Sequence, residues 1–225
     1  MLKQLILPTL FGLMFSAQIH SASIKIDISD SQARPIADAV VELISAQETL
    51  AVPNPLETEH YEIKQQNRTF NPFVLAIPQG AKVDFPNLDK TRHHVYSFSE
   101  AKPFELKLYV GKAEAPVLFD KPGLVAIGCN IHDYMQAFIY VAKGPYVGVT
   151  DDSGHLMLND IPKGNYQVKL WHPWQLSASE RLPLTVFNEP QSLSLQLQIK
   201  HQPKPSSPPA GFSQLITEKV SDDTK

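Results

Sequence analysis

Apolar and polar residues alternate along much of this chain, and this alternation constrains its fold more than any other feature. Successive side chains of a β-strand point to opposite faces of a sheet, so a period of two predicts strands with one buried face. The stretches that show it are 24–29, 104–110, 125–129, 166–170 and 193–200. Turn-forming Pro, Gly and Asp residues separate them, and no convincing amphipathic helix pattern is found before the last 15 residues. The sequence therefore predicts an all-β protein built from β-sandwiches.

Composition narrows the class of protein further. The 225 residues can form one large domain or two small ones, and 43% of them are apolar, which is enough for a packed core. The formal net charge of −3 offers no basic surplus for binding nucleic acid. Prolines outnumber glycines 19 to 10, which disfavours long helices. The single cysteine, Cys129, excludes an intrachain disulfide and any dinuclear copper centre that needs two cysteines.

The two ends of the chain differ from its alternating middle. Lys3, an apolar run over 5–15 and the small residues up to Ala22 have the layout of a secretory signal, so residues 1–22 are predicted to be a signal peptide cleaved near Ala22. A retained N-terminal anchor is the alternative. The mature protein is expected to be periplasmic, with no membrane span after signal cleavage. Residues 201–225 carry four prolines and two serines in their first nine positions, which predicts a flexible tail.

The chemistry of the sequence is concentrated at Cys129, with His132 three positions later and Met135 three beyond that. A thiolate, an imidazole and a thioether on one tight loop form a soft ligand set suited to copper. A second imidazole is available from the adjacent pair His93 and His94, at the start of an upstream strand. Two His, one Cys and a weak Met make the trigonal arrangement used in electron transfer.

Other interpretations of these residues remain open. A free cysteine is often a buried and inert small side chain. Cys129 and His132 could instead form a catalytic pair oriented by Asp133, although an exported nucleophile is prone to oxidation. Zinc could use the same ligands but gains little from a thioether. The histidine pair could lie on an exposed strand edge, and His172, between two tryptophans, is interpreted as a packing residue.

Three motifs follow one another between residues 65 and 143: an Asn-containing turn at Asn87, then His93-His94-Val95, then a strand that ends in Cys129-x2-His132. Together they resemble a cupredoxin, the family of plastocyanin and amicyanin. The spacing Cys-x2-His-x2-Met is similar to the short loop of amicyanin, whereas plastocyanin has a longer gap between His and Met. The same motifs resemble exported bacterial proteins labelled "methylamine utilization protein".

This resemblance implies a Greek-key β-sandwich that binds one copper ion per chain, with His93, Cys129, His132 and Met135 as the ligands. His93 is preferred to His94, because the family places its ligand two residues before Val and because strand neighbours face opposite sides. His132 is expected to be the least buried ligand, since its loop lies at one end of the sandwich.

The resemblance also implies the function. A type 1-like (blue) copper site carries single electrons between redox proteins, and the protein would not be an enzyme. The expected partner is a c-type cytochrome or a periplasmic dehydrogenase, not nucleic acid. A copper carrier, sensor or adaptor without redox turnover is the alternative, and a metal-free interaction protein is a third interpretation.

Two further segments, within 24–43 and 149–166, lie on either side of the copper motifs. They carry Asp-Gly and Pro-Gly turns and an alternating strand. In this order they resemble the carboxypeptidase regulatory-like domain, a small immunoglobulin-like sandwich related to transthyretin. The resemblance implies that residues 23–50 and 144–200 form one sandwich and that the cupredoxin, residues 51–143, is inserted into one of its loops. The alternative is that the first strands belong to the cupredoxin itself.

Overall fold

The chain folds into β-strands throughout the part that the computed structural model describes, residues 21–46, 60–113, 115–178 and 181–205. These ranges contain seventeen strands and no helix, so the predicted all-β class, built from β-sandwiches, is confirmed. Within them no helix is long and apolar enough to cross a membrane. The strands are β1 (Ser21–Ser29), β2 (Val40–Ser45), β3 (Tyr61–Glu62), β4 (Lys64–Gln66), β5 (Thr69–Asn71), β6 (Val74–Pro78), β7 (Lys82–Asp84), β8 (His93–Ser97), β9 (Phe104–Tyr109), β10 (Val117–Leu118), β11 (Gly123–Gly128), β12 (Gln136–Ala142), β13 (Val147–Val149), β14 (His155–Pro162), β15 (Gly164–Trp171), β16 (Leu182–Val186) and β17 (Gln191–Gln196).

Residues 1–20 of the predicted signal peptide lie outside the described residues, and so do residues 206–225 of the predicted tail. The last two residues of the predicted signal begin β1 and pair with β14. At the other end, His201 Nε2 lies 2.9 Å from Asp30 Oδ2, and Lys204 Nζ lies 2.6 Å from Asp38 Oδ2. The first residues of the predicted tail therefore contact the body of the protein.

The first sandwich combines strands from both ends of the described chain. One sheet has the order β14-β1-β17 and the other the order β13-β2-β15-β16. Ile24, Ile26 and Ile28 of β1 are buried, whereas the intervening side chains are not, as the alternation predicts. The two sheets share one core, which includes Val41, Leu43, Val168, Leu170 and Val186 from the facing sheet.

The second sandwich consists of a five-stranded sheet, β6-β12-β11-β8-β9, and a three-stranded sheet, β10-β7-β3, with the hairpin β4–β5 beside them. Val125 and Ile127 of β11 point into the core with Val83 and Phe85 from the β7 side. Cys129 directly follows β11 and continues the same inward-facing series. Because successive side chains of β11 alternate between the two faces, the cysteine that follows the strand points to the core side.

The face of β9 differs from the sequence-based expectation. A register shift in its pairing with β8 lies between the pair His93–Tyr109 and the pair Val95–Leu106. An extra residue in one strand moves the following side chains to the other face of the sheet. Leu108 and Val110 are consequently 49% and 51% exposed, whereas Tyr109 turns towards the core. The predicted apolar face is therefore wrong for these last two residues.

A third apolar cluster lies between the two sandwiches. It includes Val40, Phe73, Val74, Phe138, Tyr140, Trp171 and Trp174. Beside it, the buried carboxylate of Glu42 on β2 accepts the hydroxyl hydrogen of Tyr140 and the backbone N–H of Lys143, each at 2.7 Å. Both of its oxygens are therefore paired with groups of the second sandwich, as a buried carboxylate requires. Packing and hydrogen bonding thus join the two sandwiches.

The strand pairing is relevant to the predicted insertion. Strands β1 and β2 precede the second sandwich in sequence, yet they pair with β13, β14, β15 and β17, which follow it. If the second sandwich is inserted into a loop of the first, strands that precede it in the sequence must pair with strands that follow it. The domain boundaries at residues 23–50, 51–143 and 144–200 stay a prediction.

Candidate metal centre

Three side chains that can each give a metal one ligand atom meet at one end of the second sandwich. His93 is the first residue of β8, Cys129 follows β11, and His132 lies in the loop between β11 and β12. Their ligand atoms all lie within 4.8 Å of one another. Among the described residues, this is the only such group of His, Cys, Asp and Glu side chains. The structure therefore brings together three of the four predicted copper ligands.

Both imidazoles present a ring nitrogen without a partner. His93 Nδ1 and His132 Nδ1 are buried and make no hydrogen bond. Such atoms are rare in folded proteins, because a buried polar atom has lost its bonds to water. Imidazole nitrogens beside a thiolate form a donor set suited to copper. The unpaired nitrogens and the donor set therefore fit a bound copper ion.

His94 lies on the other side of the strand. Its Nε2 lies 2.8 Å from Glu105 Oε1 on β9, and its ring stacks near Tyr96 at 5.6 Å between centroids. His93, in contrast, has no exposed surface, and its ring centroid lies 5.1 Å from that of His132. Strand geometry thus separates the two neighbouring histidines, and only the first faces the cysteine.

Met135, the fourth predicted ligand, is 1% exposed and packs in the same core cluster as Cys129. Its backbone N–H donates to the carbonyl oxygen of His132 at 2.8 Å, which closes the loop into a turn. Met135 and Cys129 also line the same groove. The loop therefore carries the thioether and the thiol into one region of the core.

A carboxylate that the sequence analysis does not single out contacts His93 on its other side. Asp89 Oδ2 lies 2.8 Å from His93 Nε2, and the Asp89 carboxylate also accepts the backbone N–H groups of Asn67 and Arg68 at 2.8 and 2.9 Å. Burial alone would raise the pKa of Asp89, but the hydrogen bonds from Arg68, His93 and Asn67 hold it below its usual value. Asp89 is therefore ionised at neutral pH. Its only signal in the sequence is its position four residues before His93.

Asn87 shapes the loop that carries Asp89. Its side-chain N–H groups donate to the carbonyl oxygens of Thr91 and Tyr109, at 2.9 and 2.7 Å. Its Oδ1 accepts the N–H of Asp89 at 2.9 Å. An asparagine that bonds to nearby backbone is a typical organiser of turns. The Asn-containing turn expected from the motif thus determines where the loop enters β8.

Two polar side chains near the candidate centre, the buried Gln65 and the half-buried Tyr109, are hydrogen-bonded to each other. Gln65 is fully buried and donates from Nε2 to the hydroxyl oxygen of Tyr109 at 2.7 Å, while Tyr109 donates to the carbonyl oxygen of Phe85 at 2.5 Å. Burial raises the pKa of Tyr109 to about 12, so its phenol stays protonated. The alternation in the sequence places Tyr109 on the polar face of its strand, and the sequence analysis makes no prediction for the face of Gln65.

His132 is half-buried, whereas His93, Cys129 and Met135 are buried. Its ring lies 5.8 Å from that of Tyr134. Burial, followed by the charges of His93 and Arg68, lowers the pKa of His132 below its usual value. The imidazole is therefore neutral at pH 7, which is the form that binds a metal. His132 is also the part of the group that reaches the surface.

Comparison with known proteins gives partial structural likenesses. No family model matches the chain, and no curated protein matches it. A copper-containing nitrite reductase from Thermus scotoductus is 28% identical over 43% of this chain, with a TM-score of 0.36, and the match spans 25% of that enzyme. A purple cupredoxin from Nitrosopumilus maritimus is 20% identical over 36% of this chain and 98% of its own, with a TM-score of 0.31. Amicyanin from Paracoccus versutus is 15% identical over 47% of this chain and 99% of its own, with a TM-score of 0.33.

The TM-scores are all below 0.5, and the chain spans only a quarter of the length of the nitrite reductase. The predicted likenesses to methylamine utilization proteins and to carboxypeptidase regulatory-like domains stay predictions. The chemistry of the centre therefore rests on the geometry of its own residues.

Proposed function

We propose that this chain is an exported, periplasmic copper protein with one type 1-like site, which passes single electrons between redox proteins. The proposal is supported by the group of His93, Cys129 and His132, whose ligand atoms lie within 4.8 Å of one another, and in which both histidines have a buried Nδ1 without a partner. These three residues would hold the copper ion, with Met135 as a weak fourth ligand. When bound, the copper ion supplies the one-electron redox couple.

The residues around the centre favour electron transfer over substrate chemistry. His93 starts a strand of a packed sandwich, and the hydrogen bond from Met135 N–H to His132 O closes the loop. A frame held in this way keeps its ligand side chains in one arrangement before and after each electron is exchanged. The half-buried ring of His132 offers the route to the surface, so the partner would be a redox protein such as a c-type cytochrome or a periplasmic dehydrogenase. On this proposal the protein is a carrier and not an enzyme.

The test is a titration of the purified, metal-free protein with Cu(II), followed by visible absorption. We expect one copper per chain and an intense charge-transfer band, which requires a Cu(II)–sulfur bond. Cys129→Ser keeps the size of the side chain and removes the sulfur, so it should abolish the band while circular dichroism shows an unchanged fold. A band that persists in Cys129→Ser, or a wild type without a band, contradicts the proposal.

Redox cycling separates electron transfer from copper storage. The loaded protein should be reduced and reoxidised by one electron, reversibly and without losing copper. A copper carrier or sensor would show the band but would release copper, or fail to cycle, on reduction. Cyclic voltammetry with copper analysis before and after the cycles measures both.

A further inference from the structure

Asp89 is held in place by hydrogen bonds to several neighbouring residues. Its side chain is 17% exposed and accepts three N–H groups, from the backbone of Asn67, the backbone of Arg68 and the ring of His93. Its own backbone N–H donates to Asn87 Oδ1. The carboxylate therefore has little freedom to leave His93.

The two backbone donors come from a specialised turn. Asn67 and Arg68 have φ values of 54° and 56° and join β4 to β5 as a two-residue hairpin. Two consecutive positive φ angles define the type I′ turn, and here both N–H groups point at one carboxylate. The turn of this hairpin therefore holds the Asp89 carboxylate in position through two backbone hydrogen bonds.

A carboxylate at this point determines which nitrogen of His93 carries the proton. An ionised carboxylate only accepts hydrogen bonds, so Nε2 must be the donor and Nδ1 must keep its electron pair. Nδ1 is also the ring nitrogen that is buried without a partner, and His93 belongs to one group of possible metal ligands with Cys129. Carboxylates that orient metal-binding histidines in this way also make the ring a more basic ligand.

We propose that Asp89 is a positioning residue: it holds His93 in the tautomer with hydrogen on Nε2, and its negative charge lowers the reduction potential of the copper bound at Nδ1. The second half of this inference rests on the proposed function, whereas the first half concerns the metal-free protein. A negative charge linked to a ligand stabilises Cu(II) relative to Cu(I), because the oxidised ion carries the larger positive charge.

The tautomer is tested on the metal-free wild type by nitrogen-15 NMR of the histidine rings at mildly alkaline pH. We expect hydrogen on Nε2 and none on Nδ1 of His93. The opposite tautomer overturns the proposal, whether or not the protein binds copper. Because this measurement needs no substitution, it tests the tautomer of His93 even if a variant fails to fold.

The potential is tested with Asp89→Asn, which removes the charge but keeps a carbonyl oxygen able to accept from His93. Glu105→Gln is the matched control, since Glu105 makes the same 2.8 Å contact with His94, which faces away from the centre. We expect a clearly more positive potential in Asp89→Asn than in Glu105→Gln, measured by voltammetry of the copper-loaded proteins.

The outcomes separate the two proposals. Equal potentials in wild type and Asp89→Asn, or equal shifts in both variants, would falsify the charge effect while the copper function stands. A wild type that binds no copper removes the proposed function and the effect on the potential with it, and leaves the tautomer of His93 to be judged by NMR alone.

Discussion

His93 and His94 have the same chemistry, yet each has a different carboxylate partner and a different environment. Asp89 binds the first and Glu105 the second, both at 2.8 Å, but only His93 belongs to the group of possible metal ligands around Cys129 that the described residues form. The side chains of adjacent strand residues point to opposite faces, so one position along β8 decides which imidazole can be a ligand. The position of a histidine in the strand, and not its residue type, therefore decides whether it can be a ligand.

Substitution of each histidine tests this assignment. His93→Ala should remove the intense visible band or replace it with the weak spectrum of an open, water-exposed Cu(II) site. His94→Ala, the matched control, should keep a recognisable band with small changes. Absorption and electron paramagnetic resonance spectra of both variants provide the measurement. The reverse result would mean that the strand is shifted by one residue.

His172 gives a pH dependence at the same scale. Its ring is 2% exposed, donates from Nε2 to Ala37 O and accepts the N–H of Trp174 at Nδ1, each at 3.1 Å. Only the neutral ring can make both bonds. Burial is the main cause that lowers the pKa of His172 to about 4. The sequence-based interpretation as a packing residue agrees with these contacts.

We expect the stability of the metal-free protein to fall on acidification. Below the unfolded pKa of about 6.5 the unfolded chain binds the proton and the folded one does not, down to a pH of about 4. The free energy of unfolding should therefore drop in this window, by at most about 1.4 kcal/mol per pH unit from this group. His172→Phe should reduce the slope, because phenylalanine fills a similar volume and binds no proton. Urea unfolding at several pH values measures the slopes, and equal slopes in wild type and His172→Phe contradict the prediction.

At the scale of elements, the hairpin β4–β5 shows how a local conformation supports a distant side chain. Its two turn residues have positive φ, which costs a non-glycine residue about 1–2 kcal/mol. Their N–H groups both bind Asp89, which in turn binds His93. The turn conformation therefore helps to position a candidate ligand that lies 25 residues or more along the chain.

Arg68 is the residue in this turn whose substitution is most informative. Arg68→Gly should raise the free energy of unfolding by up to about 1 kcal/mol, because glycine adopts positive φ without steric cost but loses more chain entropy. Arg68→Val should lower it, since a β-branched side chain is disfavoured there. Gln66→Gly, in the neighbouring strand, is the control and should destabilise. Chemical denaturation of the metal-free variants measures the changes, and destabilisation by Arg68→Gly equal to that of Gln66→Gly contradicts the reasoning.

At the scale of the whole molecule, the candidate centre and the contact between the sandwiches are separate. The centre belongs to the core of the second sandwich. The contact lies on the outer face of that sandwich's larger sheet, where the aromatic cluster packs and Tyr140 donates to Glu42 of the first sandwich. Loss of the first sandwich would expose apolar side chains, among them Phe73 and Tyr140, without touching the ligands. Metal binding and domain assembly should therefore be independent of each other.

Shortened chains test this independence and the predicted insertion. A fragment of residues 60–143 should bind copper with the spectrum of the whole protein, although its exposed aromatic face should lower its solubility. A chain that lacks residues 51–142, with its ends joined by a short Gly-Ser linker, should keep a folded sandwich, since in the described part of the chain every strand that pairs with β1 or β2 lies outside the deleted block. Circular dichroism and copper titration are the measurements. If removal of residues 23–45 destroys the copper site and leaves 144–200 folded, the first strands belong to the copper-binding domain instead.

The strand class and the ligand loop were predictable because their signals are local. A period of two along β1 and β11 determines which side chains are inward, and the spacing from Cys129 to Met135 keeps the residues of the ligand loop close in space. For β9 the same reasoning fails after residue 106, since a shift in pairing depends on the neighbouring strand and leaves no mark in its own pattern.

The sequence by itself determined the all-β class, the soft ligand set of Cys129, His132 and Met135, and the presence of a histidine pair upstream. Only the tertiary structure decided that His93 faces the cysteine, that Asp89 binds it from behind, and that Tyr109 turns inward. The physical reason is that these features depend on contacts between segments distant in the chain. Residue type and periodicity describe the preferences of a segment, whereas pairing register and packing decide which of its neighbours it meets.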